Sequence, residues 1–129
     1  MADIVKLLQK QSDLYVMKGA TEEDIKKAEE VLGLRFSYDY RNYLIEFGVV
    51  SFTNHEFTGV CESKRLCVIN VTIEERKNVE VPRDWYVLEQ TNIDGIVIWQ
   101  DGNGTVYQTA PNVKAKRLCG SMEEYIAKE

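Results

Sequence analysis

Residues 85–109 read WYVLEQTNIDGIVIWQDGNGTVYQT and decide the fold. Three short apolar runs rich in valine, isoleucine, tryptophan and tyrosine alternate with two polar breaks, and such residues favour strands because they pack well on a pleated surface. The breaks are Asp94-Gly95 and Asp101-Gly102-Asn103-Gly104. Aspartate, asparagine and glycine tolerate the positive φ of tight hairpin turns. The stretch predicts a meander of three antiparallel strands, with one face covered by the rest of the chain.

Two helices are predicted before the meander, each bounded by a capping residue and a glycine. The first runs from Thr21 to Gly33 and the second from Ser37 to Gly48. Threonine and serine side chains accept free amides of a first helical turn, and glycine readily takes the left-handed conformation that ends a helix. Apolar stripes at spacings of three and four residues are expected to face the core. These stripes are Ile25, Ala28, Val31 and Leu32 in the first helix, and Tyr40, Tyr43, Leu44 and Phe47 in the second.

The remaining segments complete an α+β prediction for one domain over residues 1–129: a central, mostly antiparallel sheet packed against N-terminal helices, with a C-terminal helix. Residues 66–71 fit either a strand or the start of a helix. The other expected segments are a helix over 1–11 capped by Asp3, an irregular stretch over 13–20 anchored by Leu14, Tyr15 and Val16, strands over 49–52 and 57–60, a surface helix over 72–78 ended by Pro82, an edge strand over 113–119, and a last helix capped by Ser121.

The formal net charge is -5, from 21 acidic and 16 basic residues. General nucleic-acid binding is disfavoured, because neutralising phosphates requires clustered lysine and arginine. Residues 81–112 contain four acidic residues and one basic residue. An acidic surface suits a basic protein partner, although solubility alone also accounts for a charge of this size.

The three cysteines, Cys61, Cys67 and Cys119, are an odd number, which is not typical of a secreted disulfide framework. No apolar run approaches the roughly 20 residues that a membrane span requires. The N-terminus lacks the charged and apolar regions of a signal peptide. We therefore expect a protein of the reducing cytoplasm.

No catalytic, cofactor or metal residues are expected. His55 is the only histidine, and the cysteines lack the two-residue spacing typical of paired zinc ligands. The turn at Asp101 resembles a calcium loop, but Val106 and Asn112 occupy the positions that require glycine and glutamate. A Cys–His nucleophile would require a contact that sequence spacing does not predict. A buried acid beside His55 in a closed cavity would contradict this expectation.

Four segments resemble the SUKH superfamily, which includes bacterial immunity proteins against polymorphic toxins and a yeast regulator of cell-wall synthesis. Residues 25–33 resemble its opening helix, 36–48 its second helix, 95–107 its glycine-bounded hairpin, and 121–126 its closing Ser-Phe-Glu-Glu helix. Two residues depart from the pattern: Ser37 stands where proline is usual, and Met122 stands where phenylalanine is usual. Both still serve the structure, since Ser37 can cap a helix and Met122 can fill a core.

The resemblance implies a domain that works by binding. An immunity protein occludes a toxin in the cytoplasm, and an acidic one suits a nuclease with a basic active site. The predicted partner-contacting residues lie at loops and strand ends, where an aromatic ring beside acids suits an interface: Glu56, Glu89, Asp94, Trp99 and Asp101. The alternatives are a housekeeping scaffold or regulator with an endogenous partner, and a small enzyme or ligand carrier with a deep pocket. The sequence leaves the partner and the oligomeric state open.

Overall fold

The computed structural model describes residues 4–11, 13–52 and 55–127. Its helices and strands are α1 (Ile4–Gln9), β1 (Tyr15–Val16), α2 (Glu22–Leu32), α3 (Tyr38–Phe47), β2 (Val50–Phe52), β3 (His55–Phe57), α4 (Val68–Arg76), β4 (Tyr86–Gln90), β5 (Val97–Gln100), β6 (Val106–Ala110), β7 (Val113–Cys119) and α5 (Met122–Ala127). The predicted cap Asp3 lies outside the described residues.

All seven described strands form one antiparallel sheet in chain order, from β1 at one edge to β7 at the other. The predicted meander is β4, β5 and β6, where Val87 pairs with Trp99 and Trp99 pairs with Tyr107. Positive φ angles occur in both predicted turns, at Asp94-Gly95 and at Gly104. The α+β prediction, with N-terminal helices and a C-terminal helix, is confirmed.

The sheet is buried on both faces along β4 and β5, whereas the sequence predicted cover on one face only. The main core contains Tyr86, Leu88 and Ile98 together with apolar residues of α1, α2, α3 and α5. A smaller cluster on the opposite face contains Val87 and Trp99, with residues from α4 and from the segment that leads into β4. Successive strand residues point to opposite faces, so the continuous apolar runs of β4 and β5 fill both clusters.

The predicted helix ends are confirmed for α2 and α3. Thr21 and Asp24 form a reciprocal capping box, and Gly33 closes α2 with φ 69°. The Ser37 hydroxyl accepts the amide of Tyr40 at 3.2 Å. One stripe residue was assigned to the wrong side: Val31 is 55% exposed, because it lies at the flank of the stripe that Ile25, Ala28 and Leu32 bury.

Four local predictions are corrected. Residues 15–16 form edge strand β1, and the Tyr15 and Val16 side chains are exposed because the segment is attached through backbone pairing with β2. Pairing of Phe52 with His55 places β3 at residues 55–57 instead of 57–60. Helix α4 already begins at Val68, which assigns residues 66–71 mainly to a helix start. It ends at Arg76, so Pro82 is too distant to terminate it.

Within 4–11, 13–52 and 55–127, no helix is long and apolar enough to cross a membrane.

Candidate functional site

The five predicted partner-contacting residues do not share one surface. Asp94 is exposed in the β4–β5 loop, and Glu56 is half-buried on β3. Glu89, Trp99 and Asp101 are only 2%, 0% and 7% exposed. Contact with a partner stays a prediction for Glu56 and Asp94, whereas the other three side chains would first have to be uncovered.

Asp101 holds the β5–β6 turn together from inside. Its Oδ1 accepts the backbone amides of Asn103 at 2.9 Å and Thr105 at 3.1 Å. Its Oδ2 accepts the hydroxyl of Tyr107 at 2.9 Å. The pKa of Tyr107 is raised, first by desolvation and then by this bond and the nearby carboxylate charge. Asp101 therefore has a structural explanation that needs no partner.

Glu89 belongs to a buried polar cluster with His55 and Tyr125. Oε2 of Glu89 lies 2.8 Å from Nδ1 of His55 and accepts the Tyr125 hydroxyl at 3.0 Å. The His55 and Glu89 side chains are 10% and 3% exposed. The ring of Phe57 is parallel to the His55 ring at a centroid distance of 5.5 Å. The cluster joins β3, β4 and α5 through one carboxylate.

A bulge in β4 explains how an acid reaches this position. Val87 pairs with Trp99, but Glu89 pairs with Ile98, so Leu88 is an extra residue in the strand. Leu88 packs in the main core, and the following Glu89 still bonds to Tyr125 on the same side of the sheet. The bulge thus breaks the alternation that would send Glu89 to the opposite face.

A buried acid lies beside His55, and such a pair would contradict a purely binding role if it were enclosed in a cavity that admits a substrate. Tyr125 borders an open surface groove, but neither His55 nor Glu89 lines it. A general acid or base must come within hydrogen-bond reach of its substrate. The contacts instead suit a structural role, in which one carboxylate satisfies polar groups from three elements.

Metal ligation has no visible basis in the part of the chain that the structure describes. No group of three or more histidine, cysteine, aspartate or glutamate side chains there is placed to hold an ion. Cys61, Cys67 and Cys119 are present as thiols. Burial raises the pKa of Cys61, which lowers its reactivity as a nucleophile.

A second buried polar network sits at the other end of β4 and β5. The Tyr86 hydroxyl accepts the Ser37 amide at 3.0 Å and donates to Oε1 of Gln100 at 2.7 Å. Nε2 of Gln100 donates to the carbonyl of Gly104 at 2.9 Å. Burial raises the pKa of Tyr86 well above its ordinary value. The network couples the start of α3 to the β5–β6 turn.

A groove beside α5 is lined largely by apolar side chains. It crosses the main-core face of β5, β6 and β7, beyond the area that the helices cover, and has a volume of about 350 Å³. Ile96, Ile98, Leu118 and Tyr125 line it, and the exposed Ile93 stands at its rim. Concave apolar surfaces of this kind are typical binding sites.

Sequence reasoning missed the Glu89 cluster and the groove, although one signal was present. Glu89 directly follows an apolar run, Trp85, Tyr86, Val87 and Leu88, and an acid next to such a run in a buried strand needs a buried partner. The lone His55 was the natural candidate. No comparable pattern marks the groove, because its walls come from separate segments of the chain.

The architecture defines a small α+β protein with a sequential antiparallel sheet. A family model described as SMI1-KNR4 cell-wall, SUKH_5, matches residues 1–129. The chain therefore belongs to this family and to the SUKH superfamily, which confirms the resemblance seen in its motifs. The comparison with curated proteins returned no match.

Proposed function

We propose that this chain is a single-domain, non-enzymatic binding protein that neutralises a cognate protein toxin in the cytoplasm. The observation that carries the proposal is the family match over residues 1–129. The superfamily's roles are those of immunity proteins and of regulators related to cell-wall synthesis. Both roles depend on binding another protein.

The burial of the one histidine favours binding over catalysis. His55 and Glu89 would be the natural acid–base pair, but their side chains are 10% and 3% exposed and bond across three elements. Catalytic pairs are usually placed where a reacting group can approach.

The charge distribution favours a basic partner. The net charge is -5, and the first turn of α2 exposes Glu22, Glu23 and Asp24. Asp94 adds an exposed acid at the β4–β5 loop. A nuclease toxin presents a basic surface to nucleic acid, and opposite potentials accelerate association. The partner contact that we propose involves Asp94 and Glu56, with the neighbouring loop surface.

The test is co-expression with a candidate toxin encoded by an adjacent gene, followed by measurement of the dissociation constant of the purified complex. Asp94→Asn removes charge while keeping a residue that tolerates φ of 52°. Glu56→Gln removes an acid that is paired with Arg65. Glu74→Gln is the matched control, because Glu74 is also a surface acid paired with a cation, Lys77, at 3.1 Å.

We expect wild type to rescue growth, and Asp94→Asn and Glu56→Gln each to weaken binding several-fold with slower association, while Glu74→Gln stays unchanged. Rescue with unchanged affinity in both variants would exclude the surface around Asp94 and Glu56 from the contact with the toxin. No rescue and no complex would refute toxin neutralisation.

A second candidate is a regulator that binds an endogenous protein, which the cell-wall description of the matching family favours. It predicts a stoichiometric complex with a host protein, together with no protection against the neighbouring toxin. Genome neighbourhood provides an independent criterion, because an immunity role calls for an adjacent toxin gene.

A further inference from the structure

The β4–β5 loop adopts an unusual backbone conformation. Asn92, Asp94 and Gly95 have φ of 61°, 52° and 72°. Left-handed conformations are unfavourable for residues with a Cβ, and such conformations cluster at functional sites. Between the first two lies Ile93, whose side chain is 61% exposed. The loop therefore presents an apolar residue to solvent at a cost in backbone energy.

Hydrogen bonds fix this loop in place. The Ile93 amide donates to Oγ1 of Thr91 at 3.2 Å, and that hydroxyl donates to the Ile96 carbonyl at 2.8 Å. The Ile96 amide donates back to the Ile93 carbonyl at 2.9 Å. Ile93 is held by a preorganised turn, which lowers the entropy lost when a partner binds.

Ile93 stands at the rim of the groove beside α5. Ile96, Ile98, Leu118 and Tyr125 supply an apolar floor and wall, with about 350 Å³ between them. This volume accommodates an apolar side chain from another protein. Anchors of that kind, seated in a pocket, contribute most of the affinity in many interfaces.

Opposite charges flank the groove. Asp94 follows Ile93 on the loop side and is exposed. On the β7 side, Lys116 is exposed and pairs with Gln108, which lines the groove. Residues paired across two strands leave the sheet on the same face, so Lys116 rises on the groove side. An occupant that matches both ends has a cation toward Asp94 and a carboxylate toward Lys116.

We propose that this groove is the docking site for a partner segment in which an apolar anchor is flanked by a basic residue on the loop side and an acidic residue on the β7 side. The inference rests on the proposed function only in taking the occupant to be part of a bound protein. It assigns the contact to Ile93 and the groove, with Asp94 and Lys116 setting the orientation.

The first experiment measures binding of the neighbouring gene product to full-length variants. Ile93→Ser is compared with Ile73→Ser, because Ile73 is also an exposed isoleucine, at 40%, but lies on α4. We expect at least a tenfold loss of affinity for Ile93→Ser and for the charge-reversing Lys116→Glu. Ile73→Ser should match wild type. Equal affinities in all four proteins would overturn the proposal.

The second experiment needs no natural partner. Capped hexapeptides Gly-Arg-Leu-Phe-Glu-Gly are titrated into protein with labelled isoleucine methyl groups and followed by NMR. Control peptides replace Leu-Phe by Ser-Ser, or both charged residues by glutamine. We expect saturable shifts at Ile93, Ile96 and Ile98, weakened in both controls, with Ile45 and Ile73 unmoved.

Shifts of similar size at Ile73, or no saturable shift at the groove, would contradict the proposal. So would groove binding of laurate without peptide binding, since the occupant would then be an anionic amphiphile. Peptide binding without toxin rescue would refute the proposed function and leave the groove assignment standing. A toxin complex whose affinity is unchanged by Ile93→Ser, together with no detectable peptide binding, would refute the groove assignment and leave the proposed function standing.

Discussion

Nδ1 of His55 lies 2.8 Å from Oε2 of Glu89, which joins the only histidine of the chain to an acid within the central strand β4. The same oxygen accepts the hydroxyl of Tyr125 from α5. One carboxylate therefore connects the two halves of the sheet to the last helix.

Removing this carboxylate should destabilise the fold strongly. Glu89→Ala deprives two buried donors of their acceptor, and we expect a loss of roughly 3 kcal/mol in the free energy of unfolding. Tyr125→Phe removes the hydrogen bond to Glu89 while leaving the carboxylate in place, and should cost about 1 kcal/mol. Urea unfolding followed by tryptophan fluorescence measures both. A loss in Glu89→Ala that is no larger than in Tyr125→Phe would show that the cluster is not structural.

Proline at position 37, the usual residue in the superfamily, should be unfavourable in this chain. The φ of Ser37 is -67°, which suits proline. However, the Ser37 amide donates to the Tyr86 hydroxyl at 3.0 Å, and its Oγ, which also caps α3, donates to Oδ1 of Asp39 at 2.6 Å. Losing both should cost roughly 2 kcal/mol. Thermal unfolding tests this, with Ser121→Ala as the control that removes only a helix cap. A stabilised Ser37→Pro variant would contradict the network.

Removing the carboxylate of Asp101 should lower the stability of the fold more than removing that of Asp94. Asp101→Ala removes three hydrogen bonds of a turn and should lower stability by about 1–3 kcal/mol. Asp94→Asn retains a residue suited to its left-handed backbone and should stay within about 0.5 kcal/mol of wild type. Chemical denaturation of the isolated proteins measures both changes. A stable Asp101→Ala variant would return that residue to the set of interface candidates.

The Glu56–Arg65 pair should give a small acid dependence of stability. The Arg65 guanidinium donates hydrogen bonds to the Glu56 carboxylate, one of them from Nη2 to Oε2 at 2.9 Å. These bonds lower the pKa of Glu56 below its ordinary value of 4.5. A carboxyl with a lowered folded-state pKa stabilises the fold above the ordinary pKa, and that stability is lost as the pH falls through the folded-state pKa. Because the Arg65 and Glu56 side chains are 64% and 36% exposed, solvent screens the pair and we expect only about 0.5 kcal/mol.

The measurement is the free energy of unfolding of wild type and Glu56→Gln between pH 7 and pH 3. The two curves should be separated at neutral pH and converge below pH 4.5. Parallel curves would show that the pair is broken in solution.

Local chemistry was sufficient to predict the helix ends and the meander. Thr21, Ser37, Gly33 and Gly48 mark boundaries because caps and left-handed residues act within one turn of chain. The burial of individual residues was harder to predict from the sequence. Tyr15 resembles an anchor in sequence, yet its side chain is 67% exposed on an edge strand.

The sequence by itself determined the ends of α2 and α3, the antiparallel meander and the family, since hydrophobic periodicity, turn residues and caps are local properties of the chain. Tertiary structure alone decided that Glu89 meets His55 and Tyr125, and that Ile93 and Gln108 line one groove. Those relationships join segments far apart in the chain, 36 positions for Glu89 and Tyr125, and they depend on a one-residue bulge and on strand pairing. A one-residue change in register reverses which face of the sheet a strand residue occupies. The spacing of residues in the sequence therefore does not determine these contacts.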